Sequence, residues 1–200
     1  MKSLAVVCML VSVYLLHVEA FYNRNSFDII AGCKQHDHVV GYDGSVQYFP
    51  TTNLANVGRT SNSKYFRIAV LGANDGIIRF GESLFPYDRD VVEIVLGGWG
   101  NTRSAGRRQR RSSANRYSNT VLSETSTPKL LSEFHATMFV LEVFNNGTVQ
   151  VKKDGQLHPF LSFFDINRIP VNYMALTRWD KQVIYFYDCP LEPPRNCTTP

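Results

Sequence analysis

Helical periodicity is missing from this sequence. Nowhere do apolar residues recur at three- and four-residue intervals over the length of an amphipathic helix, which excludes helical bundles and the strand–helix alternation of nucleotide-binding sheets. The G-x-S-x-G elbow, the P-loop and H-E-x-x-H are all absent, and with them the usual signatures of serine hydrolases, phosphate-binding loops and zinc peptidases. Cysteine is scarce, at four residues, and no cysteine or histidine pair has metal-ligand spacing, so no metal is expected. Charge of one sign is scarce too. Lys and Arg number 21 against 17 Asp and Glu, and the excess sits in Arg103, Arg107, Arg108, Arg110, Arg111 and Arg116. The rest of the chain balances, which argues against a nucleic-acid partner. Long apolar runs are limited to one, at the N-terminus, and no other run could span a membrane.

That run reads as a secretory signal peptide over 1–20. Lys2 supplies a short positive region, 4–16 is apolar, and Val18-Glu19-Ala20 ends in the small residue a signal peptidase accepts. A secreted, extracellular protein is expected, with about 180 residues left after cleavage, enough for one domain with a sizeable core. Cys8 leaves with the signal. Cys33, Cys189 and Cys197 remain, an odd number in an oxidising compartment. Cys33–Cys189 is the favoured disulfide because it ties an N-terminal strand to the last one; Cys189–Cys197 and Cys33–Cys197 compete with it.

What the chain does contain is short strands and frequent turns. The runs 64–73, 77–82, 90–96, 172–177 and 183–187 are rich in β-branched and aromatic residues and read as strands. Asn145-Asn146-Gly147 joins 134–144 to 148–152 as a hairpin, and Asp43-Gly44 predicts another between 39–42 and 45–49. Pro159 makes 157–164 an edge strand or irregular. The stretches 51–63 and 105–119 read as polar loops, 123–132 as a linker and 189–200 as a flexible Pro-rich tail. The sum is an all-β, antiparallel, jelly-roll-like β-sandwich in one domain: 64–188 forms its body and 21–63 adds N-terminal strands and a loop.

Several short motifs carry chemistry. Asn146-Gly147-Thr148 and Asn196-Cys197-Thr198 are N-glycosylation sequons. His36-Asp37-His38 would place two histidines on one face of a strand, but no third ligand is identifiable and exposed turn residues are the simpler reading. Arg108-Gln109-Arg110-Arg111 matches the pattern cut by furin-type convertases; cleavage after Arg111 competes with a solvated basic hairpin.

The hub of the chain is 91–104, VVEIVLGGWGNTRS. Gly97, Gly98 and Gly100 surround Trp99, and Asn101 and Arg103 follow. A phosphate-binding glycine loop has to open a helix, and none follows here. The glycines suit a tight strand end built around a large core or rim indole. In a functional version, Trp99, Asn101 and Arg103 line a recognition surface.

GGWGNTRS after a valine-rich strand resembles the core motif of the farnesoic acid O-methyltransferase-like domain family, frequent in secreted proteins of arthropods and other animals. The likeness covers roughly 65–188 and carries over to Ile94, Leu96, Gly97, Gly98, Trp99, Gly100, Asn101 and Arg103. The serine-rich, basic 105–119 departs from the shorter, more apolar segment that family members often have there. The family name implies methyl transfer from S-adenosylmethionine to farnesoic acid, a step toward juvenile hormone. Its frequent place beside adhesive and lectin-like modules implies binding.

The expected function is therefore that of a secreted, non-enzymatic recognition domain for an extracellular carbohydrate, protein surface or small acid, with no cofactor. The alternatives are an S-adenosylmethionine-dependent O-methyltransferase and a convertase-processed precursor.

Overall fold

A computed structural model describes residues 27–191. Residues 1–26, with the expected signal peptide, and 192–200, with Asn196 and Cys197, lie outside the described residues. Among the described residues, thirteen strands form two antiparallel sheets packed face to face. The first sheet contains β1 (Lys34–His36), β3 (Gly58–Arg59), β4 (Ser63–Gly72), β9 (Thr137–Phe144), β10 (Thr148–Lys153), β11 (Leu161–Phe164) and β13 (Val183–Tyr187). Its order is β1-β13-β4-β9-β10-β11, with β3 also on β4. The second contains β2 (Phe49–Pro50), β5 (Gly76–Gly81), β6 (Asp90–Gly97), β7 (Arg103–Arg111), β8 (Tyr117–Ser126) and β12 (Tyr173–Arg178), in the order β2-β12-β5-β6-β7-β8.

Strand alternation builds the core. Phe66, Ile68 and Val70 of β4 and Phe139 and Leu141 of β9 meet Ile78 and Phe80 of β5 and Val92, Ile94 and Leu96 of β6 in one buried cluster. Each such side chain contributes about 1.5–3 kcal/mol by leaving water. Tyr185 of β13 pins the two sheets together. Its buried hydroxyl accepts the Ile77 N–H and lies 2.7 Å from the Thr177 carbonyl, to which it donates.

Both outer faces are partly covered. On the first sheet, a 3-10 turn at Asp28–Ile30 and the Cys33–Cys189 disulfide lie over Ala69, Met138 and Phe186. On the second, residues 37–48 form a strap. The hairpin expected from Asp43-Gly44 does not form. Arg178 instead donates its backbone N–H to Val40, and Thr177 Oγ1 donates to the same carbonyl. Gly44 closes a turn onto Gly41, and Tyr42 is drawn down onto the sheet. Burying that ring with its hydroxyl bonded outweighs a two-stranded ribbon exposed on both faces.

The basic stretch also differs from expectation. Residues 105–119 are not a loop: β7 and β8 pair from Arg103↔Ser126 to Arg111↔Tyr117, with a bulge after Gly106. The first part of the expected 123–132 linker, residues 123–126, is the end of β8. Arg108, Gln109 and Arg110 are thus paired on both sides, to β6 and β8, and Arg111 pairs with Tyr117 of β8 and bridges Tyr87, so the motif is not an exposed tip. Alternation sorts the arginines. Arg108 pairs with the buried Asp165 at 2.9 Å and Arg110 with Asp90 at 2.8 Å, while Ala105, Arg107, Gln109 and Arg111 face the strap side. Gly106 is required on the inner side, because a Cβ there would stand 2.2 Å from the Phe163 ring.

Candidate functional site

The outer face of the second sheet carries a row of charge where apolar residues would be ordinary. Cross-strand register aligns Arg79 with Glu93 and Glu93 with Arg107. Glu93 is 0% exposed and Arg79 2%. The Glu93 carboxylate accepts from Arg79 Nε at 2.8 Å, Gln109 Nε2 at 3.0 Å, the Tyr42 hydroxyl at 3.2 Å and Arg107 Nη1 at 3.4 Å. A charge so buried persists only when its lone pairs are filled in this way. Burial alone would lower the Arg79 pKa; the adjoining Glu93 outweighs it and raises the pKa above its ordinary value. Burial, followed by the charge of Glu93, raises the pKa of Tyr42, so the phenol stays neutral. The network fixes Tyr42 and hence the strap.

Tyr42 stands between two clefts. Its ring packs on Trp179 at 4.5 Å between centroids on one side, and Arg111 stacks on it at 4.9 Å on the other. The larger cleft, about 470 Å³, has Ile77 and Val95 as apolar floor and Trp99 and Trp179 as aromatic walls. Trp99 is 45% and Trp179 47% exposed. Arg107 lies over the Trp99 ring at 5.2 Å. Asn74, Asp75 and Asp180 complete the rim, and Asn74 Oδ1 is buried without a partner. Burial raises the Asp75 pKa, the neighbouring Asp180 adds to the shift and Arg107 opposes it.

The GGWG turn projects Trp99 into this cleft by backbone handedness. Gly97, Trp99, Gly100 and Asn101 all have positive φ (59°, 52°, 67° and 65°), and Thr102 donates its N–H to the Gly98 carbonyl at 3.0 Å. Runs of left-handed residues cost about 1–2 kcal/mol each for side-chain-bearing residues. Asn101 holds the turn: its Oδ1 accepts the Leu131 N–H at 3.0 Å and its Nδ2 donates to the Leu131 carbonyl at 2.8 Å. A Cβ at Gly97 would meet that Asn101 oxygen at 2.7 Å.

The motif therefore divides. Trp99 and Gly100 line the cleft, so the core position considered for Trp99 is not the one it takes. Gly97, Gly98 and Asn101 build the turn. Arg103 points away and pairs with Glu124 at 2.8 Å. Asn146 lies exposed on the β9–β10 turn. His36 is in β1, His38 is exposed beyond it, and no group of three metal-ligating side chains converges among the described residues. Sequence reasoning did not single out Tyr42, Asp75, Arg107 or Trp179. The alternation of Arg107, Gln109 and Arg111 was the signal that could have exposed β7, since every second residue of a strand shares a face.

The family model described as farnesoic acid O-methyl transferase matches residues 42–191. Among curated proteins, none matches the sequence significantly. Similar solved structures include carbohydrate binding module CBM66 from Bacillus subtilis, with 10% identity over 70% of this chain and 88% of that one and a TM-score of 0.42. The Caenorhabditis elegans galectin LEC-6 is similar at 13% identity over 76% and 94%, TM-score 0.41. A legume lectin-like domain from Entamoeba histolytica is similar at 5% identity over 80% and 88%, TM-score 0.44.

Proposed function

We propose that this chain, which belongs to the farnesoic acid O-methyl transferase family, is a secreted binding domain whose Trp99–Trp179 cleft takes a carbohydrate. The carrying observation is the pair of half-exposed indoles across an apolar floor, ringed by carboxylates, an amide and a guanidinium. A sugar ring presents an apolar C–H face and a hydroxyl edge. The indoles match the first and the rim matches the second, the combination of apolar walls and few placed polar groups that binding sites use.

The two tryptophans of the whole sequence are these two, so intrinsic fluorescence reports on the cleft alone. An oligosaccharide identified on a glycan array should quench or shift that emission saturably, and Trp179→Ala should weaken binding at least tenfold. Methyl transfer, implied by the family description, is tested in the same samples: S-adenosylmethionine should give no saturable heat by calorimetry. Cofactor heat together with silence on the array would overturn the proposal.

A further inference from the structure

We propose that the smaller cleft, across Tyr42 from the tryptophans, is a subsite for a carboxylate or sulfate group, so that the glycans this domain takes are acidic ones. The inference rests on the carbohydrate reading for the identity of the ligand, but its own geometry is separate. The cleft holds about 140 Å³ and is lined by Arg79, Arg111, Gln109, Tyr48, Tyr87 and Asn115.

Its donors exceed its acceptors. Arg79 Nη2 is buried without a hydrogen-bond partner, and so are Arg111 Nε and Nη2. Arg79 is 2% exposed and the Arg111 side chain 11%. Guanidinium N–H groups in such positions are costly unless a partner completes them. Nearby protein groups do not supply one. The buried carboxylate beside them, Glu93, is already shared among Arg79 Nε, Arg107, Gln109 and Tyr42. Asp43, 3.6 Å from Arg111 Nη1, is largely in solvent. Arg107, Arg79 and Arg111 thus face one buried negative charge, an excess of positive charge on the sheet face.

Position is fixed as well as charge. Arg79 and Arg111 stack on the Tyr42 ring at 4.5 and 4.9 Å, and Arg111 also on Tyr117 at 4.7 Å. Stacking orients planar guanidinium forks, whose parallel N–H groups match the oxygens of a carboxylate or sulfate. Burial pushes the Tyr48 pKa up to about 12. Its phenol is therefore a neutral O–H that can donate to an anion and does not neutralise the arginines.

The experiment uses inorganic sulfate, glucuronate and glucose at constant ionic strength, against chloride. Sulfate or glucuronate should raise the melting temperature saturably and shift the Nε–H resonances of Arg79 and Arg111, and glucose should do neither. Sulfate acting alone assigns a sulfated ligand, and glucuronate alone a carboxylated one. Arg111→Gln should weaken the anion response at least tenfold, and Tyr48→Phe several-fold. Sulfate, which has no apolar face to stack, should leave the tryptophan emission unchanged while it moves the Arg79 and Arg111 resonances, so the subsite stands or falls apart from stacking at the tryptophans. Resonances that move no more with either anion than with chloride in the wild-type protein, or an undiminished response in folded Arg111→Gln, would overturn it.

Discussion

Glu93→Gln tests the buried network most directly. The substitution keeps the shape of the side chain and one carbonyl acceptor. It replaces the other oxygen with an amide donor facing Arg79 Nε, now 2.8 Å from Oε2. It also leaves Arg79, at 2% exposure, with no counter-charge. Removing one partner of a buried ion pair costs about 3–5 kcal/mol. Arg107 is more exposed and its 3.4 Å contact is long, so its share is small. The expected loss is about 4 kcal/mol, and at about 2–4 °C per kcal/mol for a domain of this size the melting temperature should fall by about 8–16 °C. Calorimetry and urea unfolding measure it. Glu93→Leu combined with Arg79→Met, which removes both charges and keeps the volume, should recover most of the loss. A Glu93→Gln protein melting within about 2 °C of wild type, less than 1 kcal/mol, would refute the claim that this carboxylate holds the arginines.

Three further outcomes are expected. Trp99→Ala should cost less than about 1.5 kcal/mol in urea unfolding, because the indole is half exposed and alanine meets the same positive φ; a loss of 3 kcal/mol or more, as for a core tryptophan, would contradict the placement. Asp188 accepts from Lys34 and from the backbone N–H groups of Ala55 and Asn56; burial pushes its pKa up, but these donors win and lower it. A carboxyl with a depressed folded pKa stabilises fully above the unfolded value and loses that contribution as pH falls through the folded one. The stability gap between wild type and Asp188→Asn should therefore be constant near neutrality and shrink below about pH 4. Cys33 and Cys189 are 156 residues apart, and replacing both with serine should remove up to about 5 kcal/mol, read as a lower midpoint of chemical unfolding.

Strands were legible where their pattern was local. The valine-rich run before the glycines and the Asn-Gly hairpin after Phe144 announce themselves, and both form. β7 was not legible, because a strand whose outward residues are Arg107, Gln109 and Arg111 looks polar and loop-like. Gln109 and Arg111 are covered by Tyr42 of the strap, a contact that spans 67 residues at Gln109 and that local periodicity does not contain. For the same reason Asp43-Gly44 suggested a hairpin: the turn residues are right, but the flanking chain finds its hydrogen bonds on Arg178 and Thr177 instead. Within the glycine motif, residue types named the turn correctly but could not say which side chains it aimed outward. That depends on the sign of φ at Trp99 and Asn101.

That sign has a consequence for the proposed binding. A wall residue on a mobile loop loses freedom when a ligand arrives, about 0.5–1.5 kcal/mol per immobilised side chain. At Trp99 much of this ordering is already complete. The left-handed turn admits few alternative backbones, Asn101 latches it to Leu131, and Arg107 holds the ring from above. Folding itself has done the arranging that association would otherwise require. The side chain at position 99 is tied to the fold by direction and not by burial, so substitutions there are free to change what is bound without disturbing what is folded.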